Sequence, residues 1–575
     1  MPTSHTKIHI IGGNNSNRIG ANCQILEHQN ETGVLTRVMF DLGALLLEDN
    51  HQDSFLVPDV VKYLGYNQPK SMVNQLLKHH HFSQGGQKYP QIDALFLTHM
   101  HEDHIGGIKN LLKAGFILPD IYASKETLVV LGRILIEEGV QELPSMYPIG
   151  NREIQVSKDV IITPFPVSHT TVGTLGYHIL TKFNNQPESG ILHFGDFNLS
   201  DTIIPHSYDT NKFKQFLNNR YITHIMCDST SSGNKEKQPL TFKESTANWQ
   251  SLMQNTSKRI VSSVISRSTQ NLAPIILAAK QTGRTVFIDG YAQRLVYEEL
   301  QKIGVLDAFK ETVYQHEDIS KADLPAFLAK YKKEKQVIIF SGAFAEGFEN
   351  TENNISGLAR VAKGKHKSFL LDSSSLVVLS QRAIPVTNIH QNMCAMAEEL
   401  AQRNNGQLIQ NKTSSDLSIG NYPMMALQRT GHATYFEITA LINLIKANRL
   451  NINDKLTVIP LHGDEKQLNN TYECAKKTNT MASIAFNGEE IDLSAPQDTI
   501  KTSVQPQQWL CFKTAGDCNP NNMPITLVEE VIQNGSVSYK TICFLNGKGT
   551  YTPLHRNKTQ LIQAMRAMLD RQNIR

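Results

Sequence analysis

The sequence predicts an α/β protein of several domains, and three observations carry that reading. The 575-residue chain is longer than one hydrophobic core comfortably fills, so two or three domains are expected. Its N-terminal third reads as short apolar strands broken by turn signals. From Ser229 to Ser418 helix-like and strand-like patterns alternate, as they do in a sheet with parallel strands and crossover helices.

Taken in order, Lys7-Ile8-His9-Ile10-Ile11 is a strand pattern running into Gly12-Gly13, and Val38-Met39-Phe40 is another that ends at Asp41. The stretch from Leu45 to Tyr89 is polar and reads as a surface excursion. Its Lys78-His79-His80-His81 run is expected to be exposed, because neighbours on an extended chain point different ways. Ala94-Leu95-Phe96-Leu97 has the pattern of a buried strand, and Ile108 to Leu112 is helix-like. In the alternating region, Leu272 to Gln281 and Met393 to Gln402 are predicted helices, and Thr285-Val286-Phe287-Ile288 and Gln336-Val337-Ile338-Ile339-Phe340 predicted strands. Beyond Ser503 the pattern changes again. Val528 to Leu545 about Asn534-Gly535 suits a hairpin, and Lys558 to Arg571 a helix. No fixed-period repeat is present.

Composition narrows the function classes. With 40% apolar and 19% charged residues the chain has the make-up of a soluble globular protein, and a net charge of +3 is too small to name a partner. Nucleic-acid binding would therefore need a local basic surface. The seven cysteines are scattered without a CxxC pair, which suits reduced thiols better than a disulfide framework. Neither a signal peptide nor a run of roughly 18 apolar residues is read, so a cytoplasmic enzyme is expected.

The chemistry concentrates in Thr98-His99-Met100-His101-Glu102-Asp103-His104, which follows a strand pattern. His99 and His101 are two apart, so an extended backbone presents both on one side. Three imidazoles and a carboxylate suit Zn²⁺, and Mn²⁺ tolerates the same set. Four ligands on one short loop are more easily shared between two ions than crowded on one. Further ligands stand in a repeated context at the ends of apolar strands: His169 after Val160–Val167, Asp196 after Ile191–Gly195, and His462 after Leu456–Leu461. His193, His206, His224 and His390 are read as ordinary surface or core histidines.

This constellation resembles the HxHxDH loop of the metallo-β-lactamase superfamily with its later His, Asp and His. The long interval from Asp196 to His462 resembles that of the β-CASP nucleases, and within them the chain is most similar to the bacterial ribonuclease J group. The matching stretches are Gly12-Gly13 through Ile19-Gly20-Ala21-Asn22, Leu97 to Gly107, and His193-Phe194-Gly195-Asp196-Phe197-Asn198. They continue with Cys227-Asp228-Ser229-Thr230, Thr430-Gly431-His432-Ala433-Thr434, and Leu461-His462-Gly463-Asp464-Glu465. The implied fold is a metallo-β-lactamase αββα sandwich with an inserted α/β β-CASP domain and a small α+β C-terminal domain. The implied segments are 1–228 and 420–502 for the sandwich, 229–419 for the insertion and 503–575 for the C-terminal domain.

The resemblance implies two divalent ions, Zn²⁺ first and Mn²⁺ as the alternative. His99, His101, His169 and Asp196 match the ligands of one ion; Asp103, His104, Asp196 and His462 match those of the other, with Asp196 bridging. His432 matches a histidine that assists the reaction, held by Asp228. A histidine at 462, rather than a valine, is the group's RNA-type variant. The implied activity is metal-dependent hydrolysis of RNA phosphodiesters, by 5′-to-3′ exonuclease or endonuclease action, in RNA processing or decay. Homodimers or homotetramers through the C-terminal domain are implied as well. Alternatives are DNA end processing, opposed by His462, and thioester or lactam hydrolysis, which leaves the insertion unexplained. A non-catalytic RNA-binding scaffold would lack a metal ligand, and none is lacking.

The resemblance departs at the positions that hold substrate. Ser266-Arg267-Ser268-Thr269-Gln270 stands where the group has Ser-Asn-x-His-Arg, and Ser341-Gly342-Ala343-Phe344-Ala345-Glu346-Gly347 where it has Thr-Gly-Ser-Gln-Gly-Glu-Pro. Extra sequence follows from Phe348 to Ile355, and Gln428 replaces a histidine. Arg267, Ser341, Gly342, Thr430, Gly431 and Thr434 are the expected substrate contacts. Phe344 is expected to pack rather than to stack on a base, and Lys558, Arg566, Arg571 and Arg575 to form a solvated basic face.

Overall fold

The structure is a computed structural model. It describes residues 4–14, 20–44, 55–56, 92–113, 118–140, 143–200, 202–204, 208–314, 323–349, 355–381, 387–412 and 418–494, together with the strands Thr499–Thr502, Gln508–Phe512, Ile525–Gln533, Ser536–Leu545 and Tyr551–Pro553. The expected C-terminal helix with Lys558, Arg566, Arg571 and Arg575, the Lys78–His81 run and His206 lie outside the described residues.

Two sheets form the sandwich. One has eight strands in the order Thr499–Thr502, Glu489–Asp492, His5–Gly12, Cys23–Gln29, Leu35–Phe40, Ala94–Phe96, Ile121–Ala123 and Met146–Pro148. The other has seven, in the order Met481–Ala482, Thr457–Leu461, His224–Asp228, Gln186–His193, Leu175–Phe183, Val160–Pro166 and Ile154–Gln155. Their alternate apolar positions meet in one core: Ile8, Ile10, Val38, Phe40 and Phe96 from the first sheet, Tyr177, Ile179, Ile191, Met226 and Ile459 from the second. Helices cover both outer faces, Glu102–Lys113 and Lys125–Glu137 on the first sheet, and Thr210–Asn218, Tyr435–Asn448 and Glu465–Lys477 on the second. The arrangement is the expected αββα sandwich.

The chain leaves the sandwich after the strand His224–Asp228 and returns with Thr457–Leu461, which pairs in parallel with the strand it left. Between them lies a six-stranded, all-parallel sheet. Its order is Thr285–Ile288, Gln336–Phe340, Arg259–Ser263, Ser375–Leu379, Leu408–Asn411 and Met424–Met425. Near-continuous apolar strands such as Val337-Ile338-Ile339-Phe340 are buried throughout because helices cover both faces of such a sheet. One of those faces shares its core with the sandwich, so Ile105 and Leu131 belong to the same apolar cluster as Trp249, Ile260 and Ile275.

Phe344 is partly buried against the other face, as expected. The hairpin forms as Ile525–Gln533 paired with Ser536–Leu545, in a five-strand sheet that also takes Phe55–Leu56 from the stretch read as a surface excursion. The helix after the histidine loop starts earlier than its apolar pattern suggested, at Glu102 instead of Ile108. Two acidic residues in its first turn, Glu102 and Asp103, favour that early start. Among the described residues no helix is long and apolar enough to cross a membrane.

Candidate metal centre and active site

All the strands that carry candidate ligands end at one rim of the sandwich. His99 follows Ala94–Phe96, His169 follows Val160–Pro166, Asp196 follows Gln186–His193, Asp228 closes His224–Asp228 and His462 follows Thr457–Leu461. His462 takes φ +54, a left-handed conformation that is costly for a residue with a Cβ. Its N–H is held at 2.9 Å by the side-chain oxygen of Asn14, which is buried and also donates to Pro460 and Ala485 carbonyls.

Three groups of ligand atoms converge there, each with all its atoms within 4.8 Å of one another. In the first, Nδ1 of His101 lies 3.0 Å from Nε2 of His99 and 3.1 Å from Nε2 of His169. Asp196 Oδ2 stands 3.8 Å from both Nε2 atoms. In the second, Asp196 Oδ1 is 3.3 Å from His104 Nε2 and 2.8 Å from His462 Nδ1, and Asp103 Oδ2 is 3.1 Å from His462 Nε2. The two oxygens of Asp196 thus face different groups. The third group is Asp196, Asp228, His432 and His462, in which His432 Nδ1 meets Asp228 Oδ2 at 2.8 Å.

The donor set fits cations on two separate grounds. His169 Nδ1 sits 2.9 Å from the Gly431 carbonyl oxygen, which can only accept, so its Nε2 presents a lone pair to the cluster. His101 Nδ1 faces two ring nitrogens and has at most one proton, so hydrogen bonds alone cannot satisfy the three rings. Burial, reinforced by neighbouring imidazoles, pushes His99 and His101 well below the ordinary imidazole range, and burial brings His169 down to about 4. Neutral imidazole is the form that ligates metal.

The second group has the opposite character. Burial pushes His104 and His462 down, but Asp196 and the neighbouring carboxylates outweigh it and hold both well above the ordinary range. That corner of the pocket calls for positive charge, which a divalent ion supplies. Burial likewise pushes Asp196 up, and His462, His104 and His432 outweigh it, so the carboxylate stays ionised.

Sequence reasoning missed Asp41. It sits immediately after the strand Leu35–Phe40 with φ +57. Its Oδ1 accepts from the Thr98 N–H at 2.7 Å, and its Oδ2 from the Thr98 hydroxyl at 2.8 Å and from His104 Nδ1 at 2.7 Å. Asp41 therefore fixes the proton of His104 on Nδ1 and turns Nε2 to the second group. The signal that found Asp196 and His462, a polar residue ending an apolar strand, also marks Asp41.

The expected substrate contacts divide. The Gly431 carbonyl orients His169, and a Cβ at that position would stand 2.4 Å from the His169 ring. Thr434 is the N-cap of the helix Tyr435–Asn448 and shares a reciprocal capping box with Glu437. Thr430 accepts from the His432 N–H at 3.3 Å. Arg267 is beside the metal loop, with Nη1 donating to the Met100 carbonyl at 2.9 Å and Nη2 to Glu102 at 2.7 Å. Ser341 and Gly342 are at the end of an inserted-sheet strand, where Ser341 Oγ accepts from the Gly357 N–H at 2.9 Å and Gly342 has φ +107. Gln428 donates to Gln381 at 2.8 Å. Of the histidines read as ordinary, His193 pairs with Gln24, His224 with Thr223 and His390 with the Ser418 carbonyl.

Comparison with known proteins agrees with this geometry. A family model described as a beta-lactamase superfamily domain matches residues 64–211, and one described as the ribonuclease J beta-CASP domain matches residues 257–396. The chain is 22% identical to ribonuclease J2 of Bacillus subtilis over 410 residues, 71% of this chain and 65% of that protein. It is 24% identical to ribonuclease J of Mycoplasma pneumoniae over 409 residues, 70% of this chain and 62% of that one. The match thus spans less than two thirds of either relative's own length. A crystal structure of a protein of unknown function from Enterococcus faecalis aligns with 85% of this chain and 100% of its own, with a TM-score of 0.52 and 16% identity, a likeness of fold.

Proposed function

We propose, for a chain that belongs to the β-CASP group of the metallo-β-lactamase superfamily, the activity of a metal-dependent ribonuclease that hydrolyses RNA phosphodiesters in RNA processing or decay. The observation that carries the reading is the placement of the two Asp196 oxygens toward two separate ligand groups, 3.8 Å from His99 and His169 and 2.8 Å from His462. His99, His101, His169 and Asp196 would hold one divalent ion, and Asp103, His104, Asp196 and His462 the other, with Zn²⁺ the first choice. Such ions supply charge stabilisation to phosphate oxygens and lower the pKa of bound water.

The chain's own residues do the rest. Asp228, 2.8 Å from His432 Nδ1, orients that ring. Burial pushes the His432 pKa down, but Asp228 and Asp196 outweigh it and raise it, so a proton is available there for the departing 3′ oxygen. His462 favours RNA over DNA. The inserted parallel sheet supports a polymeric substrate over a small thioester or lactam. The domain reading is 1–228 with 420–502 for the sandwich and 229–419 for the insertion, corrected at one boundary because the inserted sheet also takes the strand Met424–Met425; residues 503–575 would be a C-terminal domain that makes homodimers or homotetramers of a cytoplasmic enzyme.

The test is incubation of Zn²⁺- or Mn²⁺-loaded protein with RNAs bearing 5′-monophosphate, 5′-triphosphate or 5′-hydroxyl ends, labelled at either terminus. Mononucleotides released only from the 5′-monophosphate RNA would support exonuclease action, and internal fragments from all three would support endonuclease action. If no RNA is cut, the reading fails.

A further inference from the structure

The inserted domain does more than flank the centre, because one of its turns is bonded to three of the segments that bear ligands. That turn, residues 267–270, joins the strand Arg259–Ser263 to the helix Thr269–Gln281. Gln270 N–H donates to the Thr170 carbonyl at 2.8 Å, and Thr269 Oγ1 accepts from the Val172 N–H at 3.0 Å, both just past His169. Gln270 Oε1 accepts from the N–H groups of Ile203 and Ile204 at 3.2 Å each, on the segment that leaves Asp196. Arg267 completes the set on the histidine loop. Its fork holds the Met100 carbonyl and the Glu102 carboxylate, the residues on either side of His101. Lys109 holds the other Glu102 oxygen at 3.0 Å.

We propose that Arg267 is a positioning residue that fastens the histidine loop to the inserted domain, so that the seating of that domain sets how tightly the centre holds its ions. The inference rests on the reading of that centre as a metal site. Arginine suits the task because its planar fork reaches two acceptors at once, which a lysine ammonium on a flexible stem cannot do in the same geometry. Nη1 and Nη2 each bond to the loop, and the side chain is only 16% exposed, a placement that suits holding the loop.

Competition for Zn²⁺ between the full-length protein and a chromophoric chelator tests this, with thermal melts run alongside to follow folding. Arg267→Ala and Arg267→Lys should each weaken Zn²⁺ binding roughly 10- to 100-fold, the range for groups that orient metal ligands. Glu102→Gln should add little to Arg267→Ala, since the two act as one clamp. Lys333→Ala is the control: Lys333 pairs with Asp372 inside the inserted domain, away from the loop and from its contacts with the sandwich, and its loss should leave Zn²⁺ affinity unchanged. Should Arg267→Ala fail to fold, Arg267→Lys carries the comparison. Zn²⁺ binding by a folded Arg267 variant as tight as that of wild type would overturn the clamp alone. A wild-type protein that takes up no Zn²⁺ would overturn the reading of the centre beneath it.

Discussion

Asp41 and His432 each make short side-chain bonds beside the candidate ligand groups, and those bonds make distinct predictions. Asp41 holds His104 Nδ1 at 2.7 Å and both donors of Thr98, so it orders the start of the histidine loop and one ligand together. Asp41→Asn, which keeps the shape and loses the charge, should weaken metal binding about 10- to 100-fold in a chelator competition. Unchanged affinity would make Asp41 a strand-end brace and nothing more. His432 has its Nδ1 engaged by Asp228 at 2.8 Å. His432→Ala should lower the rate of RNA cleavage by roughly two to four orders of magnitude, the usual worth of a positioned acid. Metal content by mass spectrometry should stay at the wild-type value; a lost ion would move His432 into the ligand set.

At the scale of elements, caps and strand ends explain what was legible in the sequence and what was not. Strands such as Thr285–Ile288 and Gln336–Phe340 were readable to the residue because short, largely apolar runs between turn signals have few other ways to be buried. The candidate ligands His99, His169, Asp196 and His462 were readable because each closely follows such a run. Asp41 obeyed the same rule yet stayed hidden, since a lone aspartate after a strand is also a common turn residue. The start of the helix Glu102–Lys113 was hidden because acidic first-turn residues and glycines blur the apolar period.

Thr430, Gly431 and Thr434 were located near the chemistry, but their bonds depend on tertiary neighbours that spacing does not reveal. Thr434 is buried and caps its helix through Glu437. Thr434→Ala should therefore cost about 1 kcal/mol of stability, seen as a lower denaturation midpoint, and leave KM for RNA unchanged. A raised KM with unchanged stability would return Thr434 to the substrate contacts.

Over the whole molecule, the sandwich carries the candidate ligands, and the turn of the inserted domain about Arg267 bonds to the segments beside them. The chain crosses between them so that Asp228 and His462 come from strands paired in register, although the entire insertion separates them in sequence. This pairing could not be read from local pattern, because only the family resemblance joined the two ends. All of these parts meet at Asp196, whose two oxygens belong to different ligand groups. The most direct measurement is the number of Zn²⁺ ions per chain by native mass spectrometry, for wild type and for Asp196→Ala. Two ions on wild type and at most one on Asp196→Ala are predicted. No ion on wild type, or two held equally well by both, would contradict a centre bridged by Asp196.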